Sequence, residues 1–370
     1  SPNLKDTFSS NSAFGSARYD SSIISTKIIY SMEGSDDVNT SSSYKTIAFL
    51  GGDNDFLDQS SDFGGEPTAS GSYFHGGYGY DGIYLETIDD HIGINSTDYD
   101  DAFKATNKAI LSEQGTAANI DNVGDSYFEE FESINTYGGN DTFYIAGTTD
   151  DLTYISAGQD NDEFYFDKNT ELTNDFSAYG GDGEDKFELN SDLVSNTLYL
   201  YGDYGNDEFK INNALTSNVC IDPGYGTDVL GFDNATSNSG LLIKNFETNN
   251  DIFDFSSAAF SGNTGHALVF GQVNGNEFMP DSTIDYSSGF PEFVIDAFDQ
   301  TNTAISDLLS TSNDYWYYDT TDGRLYYDED ADQFMENAIE IARVTDNTET
   351  PLDKTEFLSS DINYDYNNNV

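Results

Sequence analysis

Seven aspartates occupy the same place in seven copies of one short pattern: Asp55, Asp81, Asp141, Asp162, Asp185, Asp207 and Asp228. Each closes a turn rich in glycine, and a large apolar residue follows two positions later. The clearest copies read Gly76-Gly77-Tyr78-Gly79-Tyr80-Asp81-Gly82-Ile83 and Gly180-Gly181-Asp182-Gly183-Glu184-Asp185-Lys186-Phe187. The chemistry this suits is oxygen ligation of a hard cation. Glycine permits the positive φ angles and close backbone approach of a tight turn. The turn then exposes carbonyl oxygens, the aspartate adds a charged one, and Ca²⁺ gathers roughly six to eight oxygens. One turn supplies too few. Two stacked turns can share an ion, which couples binding to folding. The candidate ligands are the seven aspartates, the turn residues Gly77, Gly79, Gly139, Gly181, Gly183, Gly205 and Gly226, and the nearby carboxylates of Asp53, Asp160 and Asp36.

The residues around each aspartate say which elements must hold it. At +2 stand Leu57, Ile83, Phe143, Phe164, Phe187, Phe209 and Leu230, and at −7 stand Ala48, Phe74, Ile134, Ile155, Ala178, Leu200 and Ile221. At +4, six of seven copies are apolar: Leu85, Ile145, Phe166, Leu189, Ile211 and Phe232. A period of two on each side of the turn predicts strands with one face in a core. From Asp141 to Asp228 the spacings are 21, 23, 22 and 21 residues. Each coil therefore holds two short strands, one glycine-rich turn and one ordinary turn. The predicted fold is all-β, a parallel β-roll or β-solenoid of about 22 residues per coil, with every metal turn on a single edge. Polar loops such as Asn190 to Asn196 fill the other edge.

Weaker copies flank the array. Asp36 keeps Val38 at +2 and Ile29 at −7, and Asp251 keeps Phe253 at +2, so both read as capping coils where a solenoid must stop exposing its core. The 60 residues between Asp81 and Asp141 break the rhythm. Within them, Ser96-Thr97-Asp98 and the stretch through Ser112 read as a capped helix, and residues 89–126 as an insertion on the solenoid's side. Residues 1–30 read as an N-terminal strand, 31–255 as the solenoid, and 256–370 as a β-rich C-terminal cap. The β-prone run Ser21 to Tyr30 pairs either with its own first coil, as a cap, or with the last coil of a neighbour, head to tail.

Composition narrows the function. Against 68 acidic residues stand 13 basic ones, a formal charge of −55, while 15% of the chain is aromatic. Charge alone would suggest disorder; the aromatic content argues for a core that compacts when cations neutralise it. Seven divalent ions would still leave about −41, a field that disfavours nucleic acid and anionic membranes as partners. No run of apolar residues is long enough for a transmembrane helix. Cys220 is the only cysteine and reads as an ordinary strand residue. Catalysis finds little support. The three histidines, His75, His91 and His266, are scattered and form no H-E-x-x-H, and no G-x-S-x-G elbow occurs. Acid pairs such as Asp89-Asp90, Asp100-Asp101 and Glu129-Glu130 are expected by chance in so acidic a chain. Tyr315-Trp316-Tyr317-Tyr318 reads as core or cap packing, with a sugar-stacking platform as the alternative.

The G-G-x-G-x-D-x-U-x pattern around Asp81 and Asp185 resembles the nonapeptide of RTX proteins, whose parallel β-rolls bind calcium. Leu241 to Phe246, Asp251 to Ser256, Tyr318 to Asp328 and Ala338 to Ala342 are similar to the segments that follow the repeats in that family, with a hairpin and a final strand. The resemblance implies several bound Ca²⁺ ions and an uncleaved type I secretion signal. It further implies folding outside a Gram-negative cell, where extracellular modules bind calcium with dissociation constants of roughly 10⁻⁴ to 10⁻³ M. The tail Asn363 to Val370 departs from the family's apolar, hydroxyl-rich ending, and Ser1-Pro2 reads as a processed terminus or the start of a fragment. Repeats and caps fill nearly the whole chain. The expectation is therefore a structural protein, not an enzyme: a surface-layer, sheath or filament subunit that assembles with copies of itself. The alternatives are a calcium-dependent adhesin and the secretion domain of an RTX enzyme.

Overall fold

The computed structural model describes residues 7–8, 26–31, 34–39, 45–58, 73–85, 91–94, 108–111, 125–168, 170–190, 196–215, 217–248, 250–256, 260, 267–274, 277–280, 315–328, 338–352 and 362–363. Among them every regular element is a strand, and parallel coils of about 22 residues stack into a β-solenoid of about seven turns. No described helix is long and apolar enough to cross a membrane. The chain divides into two compact units, residues 1–187 with 194–196, and residues 188–193 with 197–370.

In the first unit, β1 (Thr7–Phe8), β3 (Asp37–Asn39), β5 (Phe56–Asp58), β7 (Gly82–Tyr84), β11 (Ser133–Asn135), β14 (Tyr154–Gln159) and β17 (Phe176–Gly183) form sheet A in that order. Sheet B contains β2 (Thr26–Tyr30), β4 (Lys45–Gly52), β6 (Tyr73–Tyr78), β8 (His91–Ile94), β9 (Lys108–Leu111), β10 (Asp125–Glu129), β12 (Thr142–Ile145) and β15 (Glu163–Phe166). All these pairings are parallel. A short pair, β13 (Thr148–Thr149) with β16 (Glu171–Leu172), zips two outer turns together. Strand β18 (Lys186–Leu189) spans the division between the units.

The apolar positions +2, −7 and +4 are all inside, every one at most 2% exposed. Register aligns them coil upon coil. Val38, Leu57, Ile83, Ile134, Ile155 and Ala178 make one inward row of sheet A. In sheet B the rings of Phe143, Phe164 and Phe187 stack at 4.7 and 4.6 Å. Parallel strands pair like with like, so one residue type can repeat down the stack and fill the core by itself.

The segment 89–126 differs from its expectation. The predicted helix is not formed at Lys108–Leu111, which is strand β9; Ser96–Asp98 and Ser112 lie outside the described residues. The segment does not sit beside the solenoid either. It enters sheet B as three strands in reversed order, giving β6-β10-β9-β8-β12. Helix propensity is a weak prior, and here it yields to two open sheet edges, each offering a row of backbone donors and acceptors. Of the run Ser21 to Tyr30, Thr26–Tyr30 form β2, which pairs with its own first coil at β4; residues 21–25 lie outside the described residues.

In the second unit, β19 (Leu198–Gly205), β21 (Val219–Asp222) and β23 (Leu241–Ile243) continue parallel coils as sheet C, and β20 (Glu208–Ile211), β22 (Val229–Phe232) and β24 (Ile252–Phe255) as sheet D. Beyond them come β25 (Ala267–Asn274), β26 (Glu277–Pro280), the hairpin β27 (Tyr315–Asp319) and β28 (Arg324–Asp328), β29 (Ile339–Val344) and β30 (Ile362–Asn363). Thr321-Asp322-Gly323 makes the expected turn, with Gly323 at φ 82°. Strand β29 docks parallel to β23, so antiparallel strands seal a parallel sheet. Trp316, Tyr317 and Tyr318 of the aromatic run are buried. Trp316 and Tyr318 are fully buried, Trp316 packing 4.2 Å from Phe255 and 5.0 Å from Tyr327. The Tyr318 hydroxyl donates to the Val344 carbonyl at 2.9 Å and accepts from the Leu352 N–H at 2.8 Å. These rings are cap, not a platform for sugar.

Two outcomes are expected. Phe164→Ala should cost about 3–5 kcal/mol in denaturant unfolding. Trp316, the only tryptophan, should emit at short wavelength and resist iodide quenching in the folded protein.

Candidate metal turns

Oδ1 of Asp55, Asp81, Asp162, Asp185, Asp228 and the flanking Asp251 accepts the backbone N–H of the aspartate one coil earlier. In the first unit the Asp36 N–H donates to Asp55 and the Asp55 N–H to Asp81, both at 2.8 Å. The Asp141 N–H donates to Asp162 at 2.7 Å and the Asp162 N–H to Asp185 at 2.8 Å. In the second unit the Asp207 N–H donates to Asp228 at 2.8 Å and the Asp228 N–H to Asp251 at 3.2 Å. All of these aspartates are at most 2% exposed. A second stitch runs the other way one residue earlier: Asn54, Asn140, Asn161 and Asn206 use Oδ1 to accept the N–H of Tyr80, Asn161, Glu184 and Thr227 in the following coil.

The turns share a backbone signature at −4. Gly51, Gly77, Tyr137, Gly158, Gly181, Asp203 and Gly224 all have positive φ, between 62° and 115°. Gly77 and Gly181, named from sequence, belong here; Gly51, Gly158 and Gly224 belong here equally and were not among the candidates. At Gly181 a Cβ would lie 2.1 Å from the Gly158 carbonyl oxygen, so successive turns stack backbone on backbone. The other named glycines, Gly79, Gly139, Gly183, Gly205 and Gly226, stand at −2. That position carries Asp53 and Asp160 in two coils, each at φ 75°. At Gly180 a Cβ would come within 2.1 Å of Asp185 Oδ2, which shows the carboxylate filling the hollow of its own turn.

The turns do not share one edge. In the first unit, the turns ending at Asp55 and Asp81 lead from sheet B to sheet A, from β4 to β5 and from β6 to β7. Those ending at Asp141 and Asp162 lead from sheet A to sheet B, from β11 to β12 and from β14 to β15. Because each sheet is parallel, these are opposite edges, and the single-edge expectation is corrected. The half-coil shift hides in the 60 residues between Asp81 and Asp141. The coil that contains β10 and β11 carries a turn of each kind. Its first turn ends in Glu132, which the aspartate pattern missed, and Glu132 Oε2 accepts the Asp81 N–H. The available signal was Ile134 at +2, already assigned to the next turn.

The second carboxylate oxygen separates inner coils from the last one. Oδ2 of Asp55, Asp81 and Asp228 is buried and meets no hydrogen-bond donor among the described residues. Oδ2 of Asp251 instead accepts the Glu247 N–H at 2.7 Å. A buried, unsatisfied carboxylate oxygen is costly. Burial pushes Asp55 up to about 7, Asp81 to about 6 and Glu132 to about 7. Such an oxygen calls for a proton or a cation. Among the described residues no three His, Cys, Asp or Glu side chains cluster as a ready cage. A cation held here would therefore take one carboxylate oxygen per turn and complete its shell from carbonyls stacked at −4 and −2. This donor set is all oxygen, which suits calcium rather than zinc or copper. Comparison with family models, curated proteins and solved structures returns no match.

The raised values give a signed expectation. A carboxyl whose folded value exceeds the unfolded 3.8 adds stability below about pH 4 that is lost as pH rises through about 6 to 7. Chelated protein should therefore melt lower at pH 7 than at pH 4.5. Asp55→Asn together with Asp81→Asn should flatten that slope in a calorimetric series; an unchanged slope would refute the assignment.

Proposed function

We propose that the chain is an extracellular calcium-binding structural protein that folds on calcium and assembles with copies of itself at a cell surface, as a surface-layer, sheath or filament subunit. The observation that carries this reading is the donor-free Oδ2 of Asp55, Asp81 and Asp228, repeated at coil spacing beneath turns of stacked carbonyls. Asp55, Asp81, Asp141, Asp162, Asp185, Asp207 and Asp228 would each offer a carboxylate, with Asp53 and Asp160 beside two of them. Bound calcium would supply positive charge where burial otherwise opposes ionisation. It would also lower a formal charge of −55 that resists compaction. The resemblance to RTX repeats supports the same ion, and with it export through a type I system from a Gram-negative cell. The structural role rests on the share of the chain given to coils and caps, and on the burial of Trp316 and Tyr318, which withdraws the aromatic surface an adhesin would have used.

Calcium titration of chelated protein should produce a cooperative gain of β circular dichroism. Asp228→Ala and Asp162→Ala should each remove binding stoichiometry in calorimetry and shift the folding midpoint to higher calcium, whereas Asp322→Ala should do neither. Electron microscopy at fixed protein concentration should show ordered assemblies with millimolar calcium and none with chelator. Full folding in chelator, with no calcium uptake, would end this reading.

A further inference from the structure

Charge is distributed unevenly along the chain. Residues 1–50 hold four basic residues, Lys5, Arg18, Lys27 and Lys45, and five acidic ones, a net −1. The remaining 320 residues hold nine basic and 63 acidic, a net −54. Like-charged surfaces oppose each other's approach, so the N-terminal coils are where a second copy meets least resistance.

Strands β2 and β4 of this stretch, continued by β6 beyond it, carry an apolar face. On the outward side of sheet B, register sets Ile28, Ile47 and Tyr73 in one row and Tyr30, Phe49 and His75 in the next. Ile28 is 54% exposed and Tyr30 67%. The Tyr30 and Phe49 rings stack at 5.3 Å, their planes 7° apart. From β2 to β6 no carboxylate interrupts either row. Strand β2 ends sheet B: it pairs with β4, and no described strand lies on its other side. A flat apolar edge strand of this kind invites pairing with another chain.

The C-terminal strands do not offer the matching edge. Beyond the last coil, sheet C gains five strands, β29, β28, β27, β25 and β26, while sheet D gains only β30. A following copy would need two coil edges in step to receive β1 and β2 together, and these edges are out of step. Residues 251–370 also hold 24 acidic residues against three basic.

We propose that β2 and the rows around it are the contact of a head-to-head dimer: two N-terminal ends meet about a twofold axis, their β2 strands antiparallel. Sheet B then runs from one copy into the other, and Ile28 of one copy meets Ile28 of the other across the seam, flanked by the apolar rows of both. The contact is isologous, so the same patch serves both partners. It stands in place of the head-to-tail arrangement that was one of the two alternatives open from sequence, and it rests on the self-assembly reading above by naming the surface that assembly uses first.

Sedimentation velocity of the full chain in millimolar calcium tests this. The wild type should be a dimer. Ile28→Glu with Tyr30→Glu should weaken dimerisation roughly tenfold or more, with calcium uptake and melting temperature unchanged. In a Cys220→Ser background, Ile28→Cys alone should give a disulfide-linked dimer on oxidation, because a twofold axis brings the same strand together from both copies. Assembly unaffected by the paired glutamates would overturn the contact while leaving self-assembly standing. Covalent dimers that form only when Ile28→Cys and Asn363→Cys chains are mixed would overturn it in favour of head-to-tail growth. Wild-type protein that stays monomeric at every concentration would remove the self-assembly reading as well.

Discussion

A buried aspartate that accepts its neighbour's backbone N–H sets the terms for everything else in this protein. The bond fixes one coil against the next at the point where the chain turns, and it leaves a carboxylate inside the protein. Hydrogen bonding of one oxygen does not offset the desolvation of the other. Where the turn is rich in glycine, Oδ2 of Asp55, Asp81 and Asp228 meets no donor among the described residues; at the flanking turn, Asp251 receives a second N–H from Glu247. The last coil is thus complete in itself, whereas the inner coils are stable to the degree that something neutralises them.

That dependence accounts for a composition that otherwise contradicts the fold. A chain of −55 with parallel sheets and a stacked phenylalanine core combines strong self-repulsion with tight packing. Long-range repulsion and local burial both oppose ionised carboxylates in the turns, and both are relieved by the same counter-charge. A cation bound in the turns would join stability, compaction and turn chemistry in one equilibrium.

Using both edges has a structural cost that is visible at the crossing. Strand β11 lies between a turn ending in Glu132 and a turn ending in Asp141, so this coil has patterned turns at both of its ends. Just there, sheet B takes in β10, β9 and β8 in reversed order while sheet A passes from β7 directly to β11. The extra strands fill sheet B between β6 and β12, where the chain changes edge.

The sequence by itself determined the phase of the structure: which residues face the core, where each aspartate turn falls, and how long a coil is. A glycine turn, an aspartate at its end and an apolar residue at +2 are local features, and parallel stacking repeats them in register. The flanking turns at Asp36 and Asp251, which join the same ladder, and the hairpin around Gly323 were legible for the same reason. Only the tertiary structure decided which edge each turn occupies. Both strands of a coil have an inward face with the same period of two, so a shift of half a coil leaves the +2 and −7 pattern unchanged. Glu132 escaped because its longer side chain reaches the ladder without the glycine turn that marked the others. Strand β9 escaped because an open sheet edge, a long-range feature, outweighed its local helical preference.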